Sequence, residues 1–232
     1  MNAPIQSSSF GKTAVLATGI WIVIEVIAQV GGALLFEPIV GNLFVGSLVG
    51  VVVGFPVAAW SVTRFSQRRG IALDILEFGR EPSRLVFGFL AGGALVIVNL
   101  TVIATASTAI FGPPAEIESL ILEGFRGGMP VVLLFIVAHG LVAPFFEEFV
   151  FRGLIQTPLT KEYGTYTGIF GAAMLFSFKH IVVDGSFVRI LPIVVLALVL
   201  GVVREKWGLT GSTVAHGVVN FIQGNLTVLA FL

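Results

Sequence analysis

The sequence predicts an all-α, polytopic membrane protein with about seven transmembrane helices. Of its 232 residues, 56% are hydrophobic and only 11% are charged, and the mean hydropathy is +1.02. Such a chain is too apolar for a soluble globular domain. Its apolar runs approach the ~20 residues that a helix needs to cross a hydrocarbon core. We therefore expect the lipid bilayer to surround the protein and no nucleic acid to bind it.

Seven apolar segments predict the spans, and they comprise residues 13–36, 39–62, 85–111, 129–157, 165–183, 187–203 and 210–232. The first is longer than a signal-peptide core and contains Glu25, so we interpret it as a retained span. Glu25 is expected to be satisfied by hydrogen bonds within the bundle. The second carries Gly46, Gly50 and Gly54 at every fourth position, a strip that predicts close helix packing.

The most basic loop follows the second span and contains Arg64, Arg68, Arg69, Arg80 and Arg84. Loops rich in arginine and lysine remain in the cytoplasm, so the N-terminus is predicted to be cytoplasmic and the protein to be an integral, multi-pass protein of the cell membrane. Within this loop, residues 71–78 could form a short amphipathic helix on the inner surface or an ordinary solvated connector.

Two adjacent glutamates in the fourth span, Glu147 and Glu148, mark the candidate site. Ionisable residues are costly inside a membrane and indicate function by default. Arg152 follows Glu148 at i+4, which predicts a buried ion pair. Glu147 points about 100° away and has no evident partner on its own helix. It is therefore the candidate general base.

The fifth and seventh spans supply further polar groups, namely His180, His216 and, one turn later, Asn220. These groups can meet Glu147 only if the fourth helix continues past Arg152 to about residue 158. Glu147 would then lie two to three turns from the inner boundary, in a cavity expected to open towards the cytoplasm. Pro144 is expected to loosen the turn before Glu147, because proline lacks the N–H of that turn.

These residues resemble three motifs of the CAAX prenyl endopeptidase and bacteriocin-processing (CPBP, Abi-type) family of intramembrane proteases. The matches are Glu147, Glu148 and Arg152 for EExxxR, Phe176 and His180 for FxxxH, and His216 and Asn220 for HxxxN. The resemblance covers about residues 129–224. It implies that Glu147 and His180 activate water, that His216 and Asn220 support the oxyanion, and that Arg152 orients the glutamates.

The resemblance also divides the chain into N-terminal transmembrane helices with the basic loop, residues 1–128, and catalytic core helices, residues 129–232. The expected activity is hydrolysis of peptide bonds in a membrane-associated peptide or protein substrate. Two alternatives remain open. Intramembrane Glu and His also build the pathways of proton- or ion-coupled transporters, and the protein could be a non-catalytic membrane scaffold.

Other protease chemistries find less support in the sequence. No cysteine is present, which excludes thiolate nucleophiles, and the His-Glu-x-x-His zinc motif is absent. An aspartyl protease needs two intramembrane aspartates, whereas Asp74 and Asp184 lie in predicted loops. Ser212 begins the seventh span, where serine is a normal helix N-cap.

The same residues raise the question whether the site binds a metal ion. Glu147, His180 and His216 could bind Zn²⁺, because two imidazoles and a carboxylate form a known catalytic zinc ligand set. No carboxylate is evident in the sequence to orient both imidazoles from behind. We therefore favour a metal-free glutamate mechanism, although the family has often been described as metalloproteases.

Overall fold

The computed structural model describes residues 10–71, 78–112, 124–184, 187 and 189–229, and these residues form helices and connections without a strand. The predicted all-α class is confirmed. The surface helix considered at residues 71–78 falls mostly on residues 72–77, which lie outside the described residues. So do the last residues of the predicted seventh span.

The helices follow the predicted apolar segments. They are α1 (Phe10–Val40), α2 (Leu43–Arg68), α3 (Pro82–Phe111), α4 (Met129–Tyr163) and α5 (Thr165–Asp184), followed by a helical stretch over Ile190–Leu229. Non-helical dihedral angles at Trp207 and Gly208 divide this last stretch. We name its two parts α6 (residues 190–206) and α7 (residues 209–229).

Five of the described helices, α1 to α5, are long and apolar enough to cross a membrane. The predicted number of seven spans is therefore not confirmed. α6 is near the lower limit of about 17 residues for a membrane span and ends in the charged run Arg204 to Lys206. α7 carries the polar residues of the third motif.

Helix ends occur where the sequence interrupts hydrogen bonding of the helical backbone. Gly41 and Gly164, which directly follow α1 and α4, have φ values of +70° and +88°, a conformation that glycine adopts without steric cost. Asn42 is the N-cap of α2, and its side-chain oxygen accepts a hydrogen bond from the Val45 amide at 3.2 Å. Short connections of this type keep α1 beside α2 and α4 beside α5.

The predicted glycine strip forms the contact between α1 and α2. A Cβ atom on Gly46 or Gly50 would collide with the α1 backbone at Gly32 or Ala28, respectively. The strip is therefore confirmed as a packing surface, because only glycine allows this approach. The contact sets the position of α1, and hence of Glu25, against the rest of the bundle.

Polarity is distributed as in a membrane protein. Large apolar side chains such as Val23, Ile27 and Leu34 are exposed on α1, whereas several charged side chains are buried. The buried charged residues and histidine are Glu25, Glu147, Glu148, Arg152, Lys179 and His216. Since a lipid core cannot solvate these groups, they must satisfy one another inside the bundle.

Candidate active site

The two adjacent glutamates lie where the geometry of α4 changes twice. Wide π-helical turns over Ile136–Val142 and Phe149–Gln156 flank the α-helical turn Ala143–Glu148. Pro144 stands just after the first wide turn, so the predicted loosening of the helix before the glutamates is confirmed. π-helical turns often mark functional sites, and here they surround the EExxxR motif.

Glu148 and Arg152 form the predicted ion pair within α4. The Arg152 Nε atom lies 3.4 Å from the Glu148 Oε2 atom, and both side chains are fully buried. The guanidinium also lies over the ring of Phe176, 5.3 Å from its centroid. Both charges are thus neutralised on one helix, as the i, i+4 spacing indicated.

Glu147 has a charged partner that the sequence analysis missed. The Lys179 ammonium of α5 lies 2.5 Å from the Glu147 Oε1 atom, and the Lys179 side chain is only 1% exposed. The prediction that α4 itself offers Glu147 no partner is confirmed, but the carboxylate is nevertheless paired. Its partner comes from the neighbouring helix, where helical spacing within α4 gives no information.

Glu25 of α1 binds the same ammonium from the other side. Its Oε1 atom lies 3.1 Å from Lys179 Nζ and accepts a hydrogen bond from Gln29 at 3.0 Å. Its Oε2 atom accepts a bond from the Trp21 indole at 2.7 Å. The expected hydrogen bonds to Glu25 are confirmed, and an unexpected ion pair joins them. We refer to Glu25, Lys179 and Glu147 as the carboxylate–ammonium triad.

Both motif histidines direct their Nε2 atoms at Glu147. His180 Nε2 lies 4.0 Å from Glu147 Oε1, and His216 Nε2 lies 3.7 Å from Glu147 Oε2. These separations are too long for direct hydrogen bonds. They are short enough for one small molecule to contact the carboxylate and an imidazole together.

A second carboxylate stands behind each imidazole. His216 Nδ1 lies 3.1 Å from Glu148 Oε1, and His180 Nδ1 lies 3.5 Å from Asp184 Oδ2. An ionised carboxylate can only accept, so the close His216 contact favours a proton on its Nδ1 atom. The sequence argument that no carboxylates orient the imidazoles is therefore wrong. Asp184 was placed in a loop, but it is the last residue of α5.

Asn220 reaches the same cavity from α7. Its Nδ2 atom donates to the backbone carbonyl of His139 at 2.9 Å, in the first wide turn of α4. This bond leaves the second N–H of the Asn220 amide for another acceptor. The His139 ring packs on Phe135 with centroids 4.9 Å apart.

The polar groups line a cavity of about 660 Å³. It extends from Glu147 past His180 to Asp184 at the end of α5, Arg189 directly before α6 and Leu226 near the end of α7. All three lie remote from the arginine-rich loop. Arg189 is 61% exposed and Leu226 is 44% exposed, so the cavity reaches the surface there.

Below Glu147, towards the arginine-rich loop, the described residues fill the interior of the bundle. Phe151, Arg152, Gln156 and Phe176 are fully buried. α4 also continues for 16 residues beyond Glu147 to Tyr163, which corresponds to about 24 Å of helix. The expectation of a cavity that opens at the arginine-rich end is therefore wrong. Glu147 lies deeper from that end than the predicted two to three turns.

The structure also corrects the expectation for Ser212. This residue lies inside α7, fully buried, and donates to the Leu209 carbonyl at 3.1 Å, so it is not the N-cap. For Lys179 and Glu25, a signal was present in the sequence. Glu25 and Lys179 carry opposite charges in separate apolar spans, and the two residues could have been paired on that ground.

The fit of a metal ion to this site can be judged from its donor atoms. The carboxylate of Glu147 and the Nε2 atoms of both histidines have the right chemistry, and carboxylates stand behind the imidazoles. However, the Lys179 ammonium already binds the Glu147 carboxylate. Among the described residues, no group of three or more His, Asp or Glu side chains is arranged to hold a metal ion.

One comparison with known proteins gives a match. Residues 129–222 match the family model described as type II CAAX prenyl endopeptidase Rce1-like. This segment spans α4 to α7 and contains all three motifs. No significant match to a curated protein or to a solved structure was found. The resemblance inferred from the motifs is confirmed by the family model.

Proposed function

We propose that this protein, whose residues 129–222 belong to the Rce1-like family of type II CAAX prenyl endopeptidases, hydrolyses peptide bonds with water activated by Glu147 and His180. The observation that carries this proposal is the convergence of two imidazole Nε2 atoms on the two oxygens of the Glu147 carboxylate. A water molecule beside Glu147 could transfer a proton to the carboxylate while its oxygen attacks the scissile carbonyl carbon.

The remaining groups suit the later stages of the same reaction. Attack forms a C–O bond and places negative charge on the carbonyl oxygen, where Asn220 Nδ2–H can donate. By resemblance to the family motif, His216 supports the same oxyanion, and the Glu148 carboxylate holds its ring through Nδ1. The C–N bond then breaks as Glu147 returns its proton to the leaving amine. The products are one new carboxyl group and one new amino group.

The chain's own charges favour a reaction without a metal. When bound, Zn²⁺ would supply a Lewis acid and an activated water, and Glu147, His180 and His216 would be its ligands. The Lys179 ammonium occupies the Glu147 Oε1 atom at 2.5 Å, which opposes a second positive charge at the same oxygen. We therefore assign water activation to the side chains alone.

The orientation of the protein in the membrane determines the side from which the substrate reaches the cavity. We propose that the arginine-rich end and the N-terminus are cytoplasmic, because positively charged loops remain there. The cavity then faces the opposite side of the membrane, and the substrate is a membrane-associated peptide reached from that side.

Cysteine labelling tests this orientation. Cysteine substituted for the exposed Gln67 should react only with a cytoplasmic reagent. Cysteine substituted for Phe187, which is 62% exposed, should react only with a reagent added from outside. The reverse labelling would mean that the cavity opens towards the cytoplasm.

The activity itself is tested by comparing peptides from membranes that contain the intact protein or its Glu147→Gln variant. Glu37→Gln is the matched control, since Glu37 is exposed at the end of α1. We expect cleavage products that depend on Glu147 and persist in the control. Identical profiles in all three membranes would instead favour the transporter or the scaffold.

A further inference from the structure

The carboxylate–ammonium triad joins the catalytic helices to a part of the chain outside the family match. Lys179 lies one residue before the motif histidine on α5, whereas Glu25 lies on α1, more than a hundred residues before the matched segment begins. Neither residue belongs to the three motifs. Lys179 nevertheless lies 2.5 Å from the Glu147 Oε1 atom, and Glu25 contacts the same ammonium at 3.1 Å.

Glu25 is itself held rigidly. The Trp21 indole that donates to it is fully buried and packs edge-on against Phe55 and Phe151, with centroids 5.1 and 5.9 Å apart. Gln29 donates from the next turn of α1. A carboxylate with two fixed neutral donors can anchor a cation in one place, so the Lys179 ammonium cannot easily leave Glu147.

A divalent cation and this ammonium would compete for the same carboxylate. A zinc ion ligated by Glu147 would lie about 2.0–2.2 Å from its oxygen, whereas Lys179 Nζ lies 2.5 Å from Oε1. The two positive charges would then be only a few ångströms apart, in a buried setting that screens them weakly. The Glu147 carboxylate, whose chemistry suits zinc, is thus already paired with a cation from the chain.

We propose that Lys179, anchored by Glu25, positions the Glu147 carboxylate and supplies the positive charge there, so that the resting site excludes a divalent metal ion. Lys179 and Glu25 are positioning residues, since they act through Glu147. The kinetic consequence of this inference rests on the proposed function, because it requires an active peptidase. Its consequence for metal binding does not depend on activity.

Zinc binding to the purified full-length protein in detergent tests the proposal directly. The intact protein should retain far less than one zinc per chain after dialysis, whereas Lys179→Met should bind about one, with affinity at least ~10²-fold higher because the repulsion is gone. Adding Glu147→Gln to Lys179→Met should abolish that binding. Lys161→Met is the control, since Lys161 is an exposed lysine on α4 and should change nothing.

The Lys179→Met variant leaves two carboxylates without their shared cation and could fail to fold. The double variant Lys179→Met with Glu25→Gln removes one charge of each sign, so the triad keeps the net charge of the intact protein. It should recover part of the lost melting temperature and should also bind zinc. This variant keeps the proposal testable if the single variant cannot be purified.

A kinetic readout separates positioning from general stability. If the peptidase is active, Lys179→Met in zinc-free buffer should lower kcat at least ~10-fold with KM nearly unchanged, because Lys179 contacts Glu147. Glu25→Gln should lower kcat less.

The zinc measurements can contradict this proposal independently of activity. Stoichiometric zinc in the intact protein, with no higher affinity after Lys179→Met, would overturn the proposal even if the peptidase activity is confirmed. Zinc exclusion by an inactive protein would leave this inference standing and refute the proposed function.

Discussion

The two adjacent glutamates of α4 differ more in their surroundings than their positions suggest. Glu148 pairs with Arg152 four residues later on the same helix, while its other oxygen contacts His216. Glu147 pairs with a lysine of α5, which is shared with Glu25 of α1. Glu148 is therefore held by its own helix and by α7, in the buried interior. Glu147 belongs to a triad formed by three helices and lines the cavity. The same residue type can serve structure and chemistry because helix geometry turns neighbours apart.

Glu147→Gln should give the largest effect on activity. The amide keeps the shape of the side chain but cannot accept a proton, so peptide cleavage should fall by about 10²–10⁴. The melting temperature should change little, because Lys179 keeps Glu25 as its partner. Cleavage assays and thermal unfolding on the same preparation measure both quantities. Loss of the folded protein together with activity would show that Glu147 is a structural residue.

Glu148→Ala should instead act mainly on stability. Removing one partner of a buried ion pair leaves Arg152 unpaired and costs about 3–5 kcal/mol. The double variant Glu148→Ala with Arg152→Met should recover part of this loss, because no buried charge remains unpaired. Thermal unfolding of the two variants is the measurement. If the Glu148→Ala variant is as stable as the intact protein, Glu148 does not have the structural role that distinguishes it from Glu147.

Asn220→Ala tests the group that faces Glu147 from α7. Loss of one donor to the oxyanion should lower kcat by about 10²–10³, while the protein remains folded. Because the side chain also donates to His139 O at 2.9 Å, Asn220→Asp is a useful comparison, as it removes both N–H donors at similar volume. If Asn220→Ala loses folded protein in proportion to activity, the bond to His139 is the main role of Asn220.

Asp184→Asn should have the smallest effect of the four. Asp184 approaches His180 Nδ1 at 3.5 Å and also pairs with the exposed Arg189 at 2.8 Å. Loss of a carboxylate behind a functional imidazole typically costs about 10–100-fold, and the partial exposure of Asp184 favours the lower end. Steady-state rates of Asp184→Asn and of Arg189→Gln separate the two contacts. Equal losses would indicate that the ion pair with Arg189, and not the contact to His180, matters.

The sequence predicted the parts of the site that depend on spacing along one helix. The Glu148–Arg152 pair follows from an i, i+4 interval, and the extension of α4 beyond Arg152 follows from the need for Glu147 and His180 to meet. The triad could not be predicted in this way. It depends on how α1 lies against α5, which is set by contacts between residues far apart in the chain.

Asp184 and the opening of the cavity illustrate a second limit. Hydropathy placed Asp184 in a loop because a charge at the end of an apolar run is typical of a boundary, whereas α5 includes Asp184 as its last residue. The cavity was expected at the wrong end because Glu147 was counted from a helix end predicted too early. An error of a few residues at a helix end hardly changes the predicted fold, but it changes considerably the predicted depth of a side chain in the membrane.

The contact of α1 with the glycine strip of α2 makes the site sensitive to changes at a distance. Gly50 contacts the α1 backbone at Ala28, which lies three residues from Glu25 and one from Gln29. A single added methyl group there would push α1 away or turn it, and a shift of one residue turns a helical side chain by about 100°. A mutation scan for lost function would then identify a residue that touches neither substrate nor catalytic group. In a chimaera that takes α4 to α7 from another protein that matches the same family model, α1 and α2 would have to be exchanged as a matched pair.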